Sequence, residues 1–294
     1  MAYNDVTDNV VATSAFSMKT LEPVPAHTVM MTCITLPDEI VFVDCGLFPE
    51  LASKFRRDME KRFQRKTSYL LLTHTHWDHC LAMEAFADTK IVASPKETAR
   101  FKRLLKSEPY RKRWVKNFKD DKEITDVIKN VRLCLPNVVS VEEKLVIGPK
   151  GQEITFQVTG GHSPGSAYVY SPAERVLCAG DNLLTCYAQL IGDGEKTLEI
   201  YRHWETLSIE QVIPGHGKIV KKKYIAKVRS YFEELITVLE ELRAEQLNLR
   251  SVLKHPRLPT YFGEHQASWV EGSRYHTDWL NFGIKYWYKK LSHT

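Results

Sequence analysis

The sequence contains no long apolar segment and few residues that break regular structure. No run approaches the roughly 18 uncharged apolar residues that a membrane-spanning helix needs, and residues 1–10, MAYNDVTDNV, lack the basic start and apolar centre of a secretory signal. We therefore expect a cytoplasmic protein that does not associate with membranes. With 14 Gly, 13 Pro and 43% hydrophobic residues in a chain of 294 residues, the composition is typical of a globular protein with a sizeable core.

Paired cysteines are also absent. The six cysteines are widely scattered and none forms a CxxC pair: Cys33, Cys45, Cys80, Cys134, Cys178 and Cys186. This spacing argues against a disulfide framework and against a thiolate zinc cluster. Most of these side chains are interpreted as small buried hydrophobic groups.

Positive charge is unevenly distributed along the chain. The formal net charge is +5, yet the segment 96–130 alone carries twelve Lys and Arg against six Asp and Glu. An anionic partner is therefore to be sought near this segment, whose basic side chains include Lys102, Arg103, Lys106, Arg111, Lys112, Arg113, Lys116 and Lys119. Nucleic acid is one such partner. The simpler interpretation of the basic segment is a helical surface exposed to solvent.

The hydrophobic pattern predicts strands and helices in alternation. Apolar runs bounded by turn residues predict strands, and spacing of three or four residues predicts helices over 49–65 and 221–250. The predicted strands lie at 10–18, 28–36, 39–46, 68–74, 90–95, 144–147, 152–159, 166–171 and 175–181. This order favours a layered α/β sandwich with a charged helical insertion at about 96–130.

A crowded polar stretch follows one of the buried strands. The text LLLTHTHWDHC places His74, His76, Asp78 and His79 directly after a run of leucines. Imidazole nitrogens and carboxylate oxygens are ligands that zinc prefers, and histidines at the end of a strand can converge on one ion. Isolated histidine pairs are usually structural, but four such residues in this spacing indicate a metal site.

Further candidate ligands occur where other predicted strands end. His162 lies among glycines after one strand, Asp181 ends the apolar run RVLCAGD, and His216 follows QVIPG. A single residue of this kind would be weak evidence. Their shared position after strands indicates that all three contribute to the same site.

In this order the motifs resemble those of the metallo-β-lactamase superfamily of metallo-hydrolases. The resemblance covers roughly residues 10–220 and rests on Asp44, the HxHxDH motif at 74–79, His162, Asp181 and His216. It implies a four-layer αββα sandwich with the active site along one edge of the two sheets. We therefore predict a catalytic domain over 1–220 and a helical, aromatic-rich extension over 221–294 that packs on it.

The resemblance also implies a role for each residue of the motifs. One metal would be bound by His74, His76 and His162, the second by Asp78, His79 and His216, with Asp181 bridging the two. Asp44 would orient a histidine through its ring N–H, and Asp78 and Asp44 are the predicted catalytic residues. Two zinc ions are expected, although iron and manganese also accept such ligands.

Two neighbouring dications lower the pKa of a shared water, so that a bridging hydroxide exists at neutral pH. We therefore expect a dinuclear hydrolase that cleaves an ester, thioester, lactone or amide bond of a small molecule. Asp181 is typical of the thioesterases, lactonases and nucleases of the superfamily and disfavours a physiological β-lactamase, while promiscuous β-lactamase activity is compatible with the same chemistry. Glyoxalase II is similar through the metal motifs. The subfamily is left open.

Two other functions are also compatible with the sequence. The basic segment 96–130 is compatible with a metal-dependent nuclease acting on RNA or single-stranded DNA. A di-iron redox module uses a similar ligand set.

The C-terminal aromatic residues have three possible roles: they could pack on the sandwich, form a wall that selects the substrate, or bury a homodimer contact. These residues are Trp269, Trp279, Tyr286 and Trp287.

Overall fold

The computed structural model describes residues 2–15, 29–106, 112, 115–116, 122–139, 143–186, 192–260 and 276–291. Within these residues the strands form two sheets. The first sheet has the order β1 to β7: Asn4–Asp5, Val10–Ala15, Val29–Thr35, Ile40–Val43, Thr67–Leu71, Lys90–Ala93 and Val138–Val139. The second sheet runs in the order β13 to β8, where β8 to β13 are Lys144–Ile147, Ile154–Val158, Ala167–Ser171, Val176–Gly180, Gln211–Pro214 and Val220–Lys221.

Helices lie between and after these strands. In the described part of the chain, α1 to α8 are Pro49–Phe63, Trp77–Cys80, Pro95–Leu105, Lys122–Asn130, Gly194–Thr206, Lys223–Ala244, Leu249–Val252 and His276–Lys290, and a 3-10 helix covers Leu81–Phe86. Part of the predicted helical insertion at about 96–130 lies outside the described residues.

Alternation along the strands divides the core into layers. Successive side chains of a strand point to opposite faces, so Ile40 and Phe42 of β4 face the cluster with α1 while Val41 faces the second sheet. In β11, Leu177 faces α5 and α6, whereas Cys178 faces the first sheet. Both β4 and β11 are therefore apolar on both faces, as expected for strands of sheets that are covered on both sides.

The core between the two sheets closes the sandwich. It contains residues from both sheets, among them Ile34 of β3 and Phe156 of β9, both buried. Outside the first sheet α1 contributes Phe55, and outside the second sheet α5 and α6 contribute Trp204 and Phe232. The predicted four-layer αββα sandwich is confirmed.

The helix α5 is the longest of the elements that the sequence pattern missed; β1, β7 and α2 were missed as well. Asp193 caps the start of α5, since its side chain accepts a hydrogen bond from Lys196 N at 3.1 Å. Leu198, Tyr201 and Trp204 form the buried stripe of α5 at a spacing of three residues. The capping aspartate before this stripe is the signal that indicates a helix.

The C-terminal helix α8 packs on α5 and α6, which cover the outer face of the second sheet. Trp287 and Ile284 are buried in the same cluster as α6, and Trp287 covers the start of α5 so closely that a Cβ on Gly194 would lie 2.0 Å from its ring. Trp269 and the side chain of Trp279 lie outside the described part of the chain. The domain boundary at 220 stays a prediction.

Among the described residues, no helix has both the length and the apolar character needed to cross a membrane.

The core between the sheets predicts a large cost for truncation. Phe156 is fully buried there, so Phe156→Ala is expected to lower the free energy of unfolding by about 3–5 kcal/mol. The matched control is Val146→Ala on the adjacent strand β8, where the side chain is 47% exposed and the expected change is within about 0.5 kcal/mol. Urea unfolding measures both variants, and equal effects would contradict this packing.

Candidate metal centre

The chain brings its chemically active residues together at one edge of the sandwich. Strands β4, β5 and β6 are parallel, as are β11 and β12, and the carboxyl ends of parallel strands meet at one edge. Asp44 follows β4, the stretch 73–79 follows β5, Asp181 follows β11 and His216 follows β12. A hydrogen bond from Met30 N to Gly215 O, 2.9 Å long, joins the two sheets at this edge.

One group of side chains converges on a common point. His76 Nδ1 lies 2.8 Å from His74 Nε2 and 2.9 Å from His162 Nε2. Asp181 Oδ2 lies 3.4 Å from His162 Nε2 and 3.7 Å from His74 Nε2. Three ring nitrogens and one carboxylate oxygen thus surround one small volume, and we call these four residues the first group.

A second group forms beside the first. His216 Nε2 lies 3.2 Å from Asp78 Oδ2 and 3.3 Å from His79 Nε2. The other oxygen of Asp181, Oδ1, faces this group at 3.1 Å from His79 Nε2 and 3.4 Å from His216 Nε2. The second group therefore comprises Asp78, His79 and His216, and Asp181 lies between the two groups.

The donor set of these groups suits two cations. In the described part of the chain no group forms a hydrogen bond with the buried Asp181 Oδ1, and a buried carboxylate oxygen in this state is costly unless a positive charge neutralises it. A Cβ on Gly215 would lie 2.0 Å from this oxygen, so glycine leaves the carboxylate its space. All seven residues predicted as ligands lie in the two groups, and their role as ligands stays a proposal.

Burial keeps the histidines of the first group neutral. Burial and the neighbouring His162 lower the pKa of His76 to about 3. Burial, together with His79 and His76, holds the pKa of His74 well below its usual range. A neutral imidazole carries a free lone pair, so these nitrogens are ready to bind a cation at neutral pH.

Carboxylates dominate the electrostatics of the second group. Burial lowers the pKa of His216, but Asp181 and Asp78 outweigh it and raise the pKa to about 9. Burial likewise opposes protonation of His79, whose pKa is nevertheless held well above its usual range by Asp181, Asp44 and Asp78. This side of the centre therefore favours positive charge, which a dication supplies more strongly than a proton.

Asp44 positions one histidine of each group. Its Oδ2 lies 2.8 Å from His79 Nδ1 and accepts a hydrogen bond from Thr73 Oγ1, which in turn lies 3.1 Å from His74 Nδ1. The Nδ1 atoms thus carry the protons and the Nε2 atoms face the centre. Asp44 adopts a left-handed backbone (φ 54°), a conformation that aspartate tolerates better than most residues. Asp44, one of the predicted catalytic residues, thus contacts His79 directly and is linked to His74 through Thr73.

Asn182 was not predicted from the sequence. Its Oδ1 accepts a hydrogen bond from His162 N at 2.8 Å, and its Nδ2 donates to Gly160 O at 3.0 Å. Between them Gly161 has a φ of 95°, and a Cβ there would lie 2.4 Å from Asn182 Oδ1. Asn182 thus holds the His162 loop, and only its place beside Asp181 could have indicated this.

Trp77 and Cys80 serve packing near the centre. Trp77 begins α2 and packs on a cluster that includes Phe48, Leu81 and Ile128 of α4. Cys80 is fully buried in the cluster beneath α1. The helix α4 of the basic segment is therefore anchored beside the turn that carries Asp78 and His79.

A family model assigns the chain to a known superfamily. The family model described as "Metallo-beta-lactamase superfamily" matches residues 21–216, which is more than half of the chain. The chain belongs to the metallo-beta-lactamase superfamily. Membership of this superfamily, together with the His and Asp groups, confirms the predicted class of metal-dependent hydrolase.

Solved structures of superfamily members share the fold. A metallo-beta-lactamase family protein from Thermus thermophilus is 17% identical with a TM-score of 0.62, covering 92% of this chain and 91% of its own. The metallo-beta-lactamase from Pontibacter korlensis is 14% identical, with a TM-score of 0.56 and coverage of 78% and 97%.

A sec-alkylsulfatase from Pseudomonas sp. is 18% identical with a TM-score of 0.63, and 89% of this chain spans only 47% of the sulfatase. Curated proteins gave no match. At these identities the likeness shows the fold alone.

The position of Asp44 predicts that it controls metal affinity. Asp44→Asn replaces one acceptor oxygen by an amide and so weakens the orientation of His74 and His79. We expect a loss of about 10- to 100-fold in zinc affinity, measured by competition with a chromophoric chelator. Asp58→Asn on the surface of α1 is the control, and an equal affinity in both variants would contradict the role of Asp44.

Proposed function

We propose that this superfamily member is a dinuclear metal-dependent hydrolase that cleaves an ester, thioester, lactone or amide bond of a small molecule. The observation that carries the proposal is the position of Asp181, whose two oxygens each face a different group of histidines. One carboxylate is thereby suited to bridge two ions. A bridging carboxylate with three further ligands on each side is a typical donor set for zinc.

The proposed ligands bind through defined atoms. The first ion would be held by His74 Nε2, His76 Nδ1 and His162 Nε2, and the second by Asp78 Oδ2, His79 Nε2 and His216 Nε2. When bound, two such ions activate a water at neutral pH and polarise the bond that it attacks. Zinc is the proposed metal, and iron or manganese would suit the same nitrogen and oxygen donors.

The surrounding residues hold the protons in place. Asp44 Oδ2 keeps the proton of His79 on Nδ1, so that the imidazole offers only Nε2 to the centre. Asp78 is 15% exposed at its side chain, whereas His79 is fully buried. Asp78 therefore lies on the side of the second group that a substrate and solvent can reach, which supports its proposed catalytic role.

The proposal names the class of bond that the protein cleaves. Solved structures with this fold include metallo-beta-lactamases and a sec-alkylsulfatase, so the fold accommodates hydrolysis of different bonds. The carboxylate at position 181, which thioesterases, lactonases and nucleases of the superfamily share, disfavours a physiological β-lactamase. Cytoplasmic location and a homodimer contact through the C-terminal aromatics stay predictions.

The bridging carboxylate predicts the outcome of its removal. Asp181→Ala deletes both oxygens that face the two groups, so we expect the metal content to fall from two equivalents to one or fewer and turnover to fall by orders of magnitude. Metal analysis and a panel of thioester, lactone, ester, β-lactam and phosphodiester substrates measure both quantities. Asp126→Ala on the exposed face of α4 is the control.

A wild-type protein that hydrolyses its substrate equally well after metal removal would refute the proposal. Bound iron with the visible absorption of an oxo-bridged pair would favour the redox alternative instead.

A nuclease is the second candidate, and one observation favours it. The helix α3 starts next to the ligand turn and carries exposed basic side chains at Lys102 and Arg103, and the exposed Lys106 directly follows it. They could follow a phosphate backbone towards the centre. Of the other basic side chains, Arg111, Arg113 and Lys119 lie outside the described residues.

The nuclease alternative predicts a salt-dependent interaction. Replacing Lys102, Arg103 and Lys106 together by Glu should weaken RNA or single-stranded DNA binding and reduce the slope of log affinity against log salt by about 2–3. Fluorescence anisotropy at several salt concentrations measures the slope. No binding by the wild-type protein, with thioester or lactone turnover intact, would exclude this alternative.

A further inference from the structure

A buried carboxylate lies beneath the first group and binds the residues next to its histidines. Glu97, in the first turn of α3, is 1% exposed. Its Oε2 accepts hydrogen bonds from Thr75 N at 2.9 Å and Thr75 Oγ1 at 2.6 Å. Its Oε1 accepts hydrogen bonds from Ser163 Oγ at 2.7 Å and Gly165 N at 3.3 Å. Each oxygen therefore holds a different loop.

These two loops carry the three histidines of the first group. Thr75 stands between His74 and His76, and Ser163 directly follows His162. The loops leave different sheets, since one follows β5 of the first sheet and the other joins β9 to β10 of the second. Glu97 is thus a single buried group that fixes one loop relative to the other.

The contacts are suited to an ionised carboxylate. Burial raises the pKa of Glu97, but hydrogen bonds from Thr75 and Ser163 and the charge of Arg100 outweigh it, so the pKa lies below its usual range. Arg100 Nη1 lies 3.4 Å from Oε2 and supplies the counter-charge. An ionised carboxylate has only acceptors, which matches the five donor atoms around it, that of Arg100 included.

The hydrogen bonds of the Glu97 carboxylate lead to the loops of the first group. The residues of the second group are held from other places: Asp78 and His79 lie beyond the turn at Trp77, and His216 follows β12. The effect of Glu97 should therefore be confined to one half of the centre. Such selectivity separates a positioning role from a general contribution to stability.

We propose that Glu97 is a positioning residue that sets the geometry of the first metal site by tying the His74–His76 turn to the His162 loop. The inference rests on the proposed function, because it assumes that these histidines bind an ion. Hydrogen-bond partners behind ligands typically change metal affinity by about 10- to 100-fold when they are removed. The same order of effect is expected for Glu97.

The test measures each half of the centre separately. His216→Ala leaves the first group to bind zinc, and His162→Ala leaves the second. Adding Glu97→Gln, which has the same shape but replaces one acceptor oxygen by an amide donor, should lower zinc affinity about 10- to 100-fold in the His216→Ala protein. In the His162→Ala protein the affinity should change by less than about 3-fold, since the second group keeps its partners.

Glu60→Gln is the matched control. Glu60 also lies on a helix, accepts a hydrogen bond from a backbone N–H, that of Thr67 at 3.0 Å, and pairs with an arginine, Arg56, at 3.0 Å. It lies in α1, away from the centre. Glu60→Gln should therefore leave zinc affinity unchanged in both the His216→Ala and the His162→Ala protein.

A milder variant covers the case in which Glu97→Gln fails to fold. Thr75→Val keeps the shape of the side chain and removes one hydroxyl donor to Glu97, so about a 5-fold loss is expected in the His216→Ala background alone. Equal losses in both backgrounds, or no loss in either, would overturn the inference. Absence of zinc binding by the His216→Ala protein with Glu97 intact would instead refute the proposed function, and the inference would fall with it.

Discussion

One buried carboxylate, that of Asp181, determines the arrangement of the centre. Its side chain is 6% exposed, and its two oxygens face different sets of histidines. A buried charge of this kind is stable only when opposite charge surrounds it, and the protein supplies that charge unevenly. The first group is neutral because burial lowers the pKa of its histidines. In the second group Asp181 raises the pKa of His79, helped by Asp44 and Asp78, and Asp181 and Asp78 raise the pKa of His216. The centre is therefore built to accept cations.

The fold explains why six residues from distant parts of the sequence can meet around this carboxylate. Parallel pairing brings the ends of β4 and β5 together in one sheet and those of β11 and β12 in the other. Packing of the two sheets, through residues such as Phe156, aligns these edges. Positioning residues then adjust each loop: Asp44 from the first sheet and Asn182 from the second hold histidines through hydrogen bonds.

Much of the fold and most of the centre could be predicted because both depend on local patterns. Apolar runs mark β4 and β11, and HxHxDH follows a strand directly, so the residues at strand ends are visible in the sequence. The helix α5 was missed because its stripe of Leu198, Tyr201 and Trp204 is diluted by charged residues. Glu97 and Asn182 were missed because their partners lie far along the chain, where spacing carries no information.

The central claim is that Asp181 bridges two bound ions. Crystals of the zinc-loaded protein, measured above and below the zinc absorption edge, test it most directly. The account predicts two anomalous peaks, about 3.5–4 Å apart, on either side of the Asp181 carboxylate and within bonding distance of the first and second groups. A single peak, or zinc bound away from Asp181, would contradict the account.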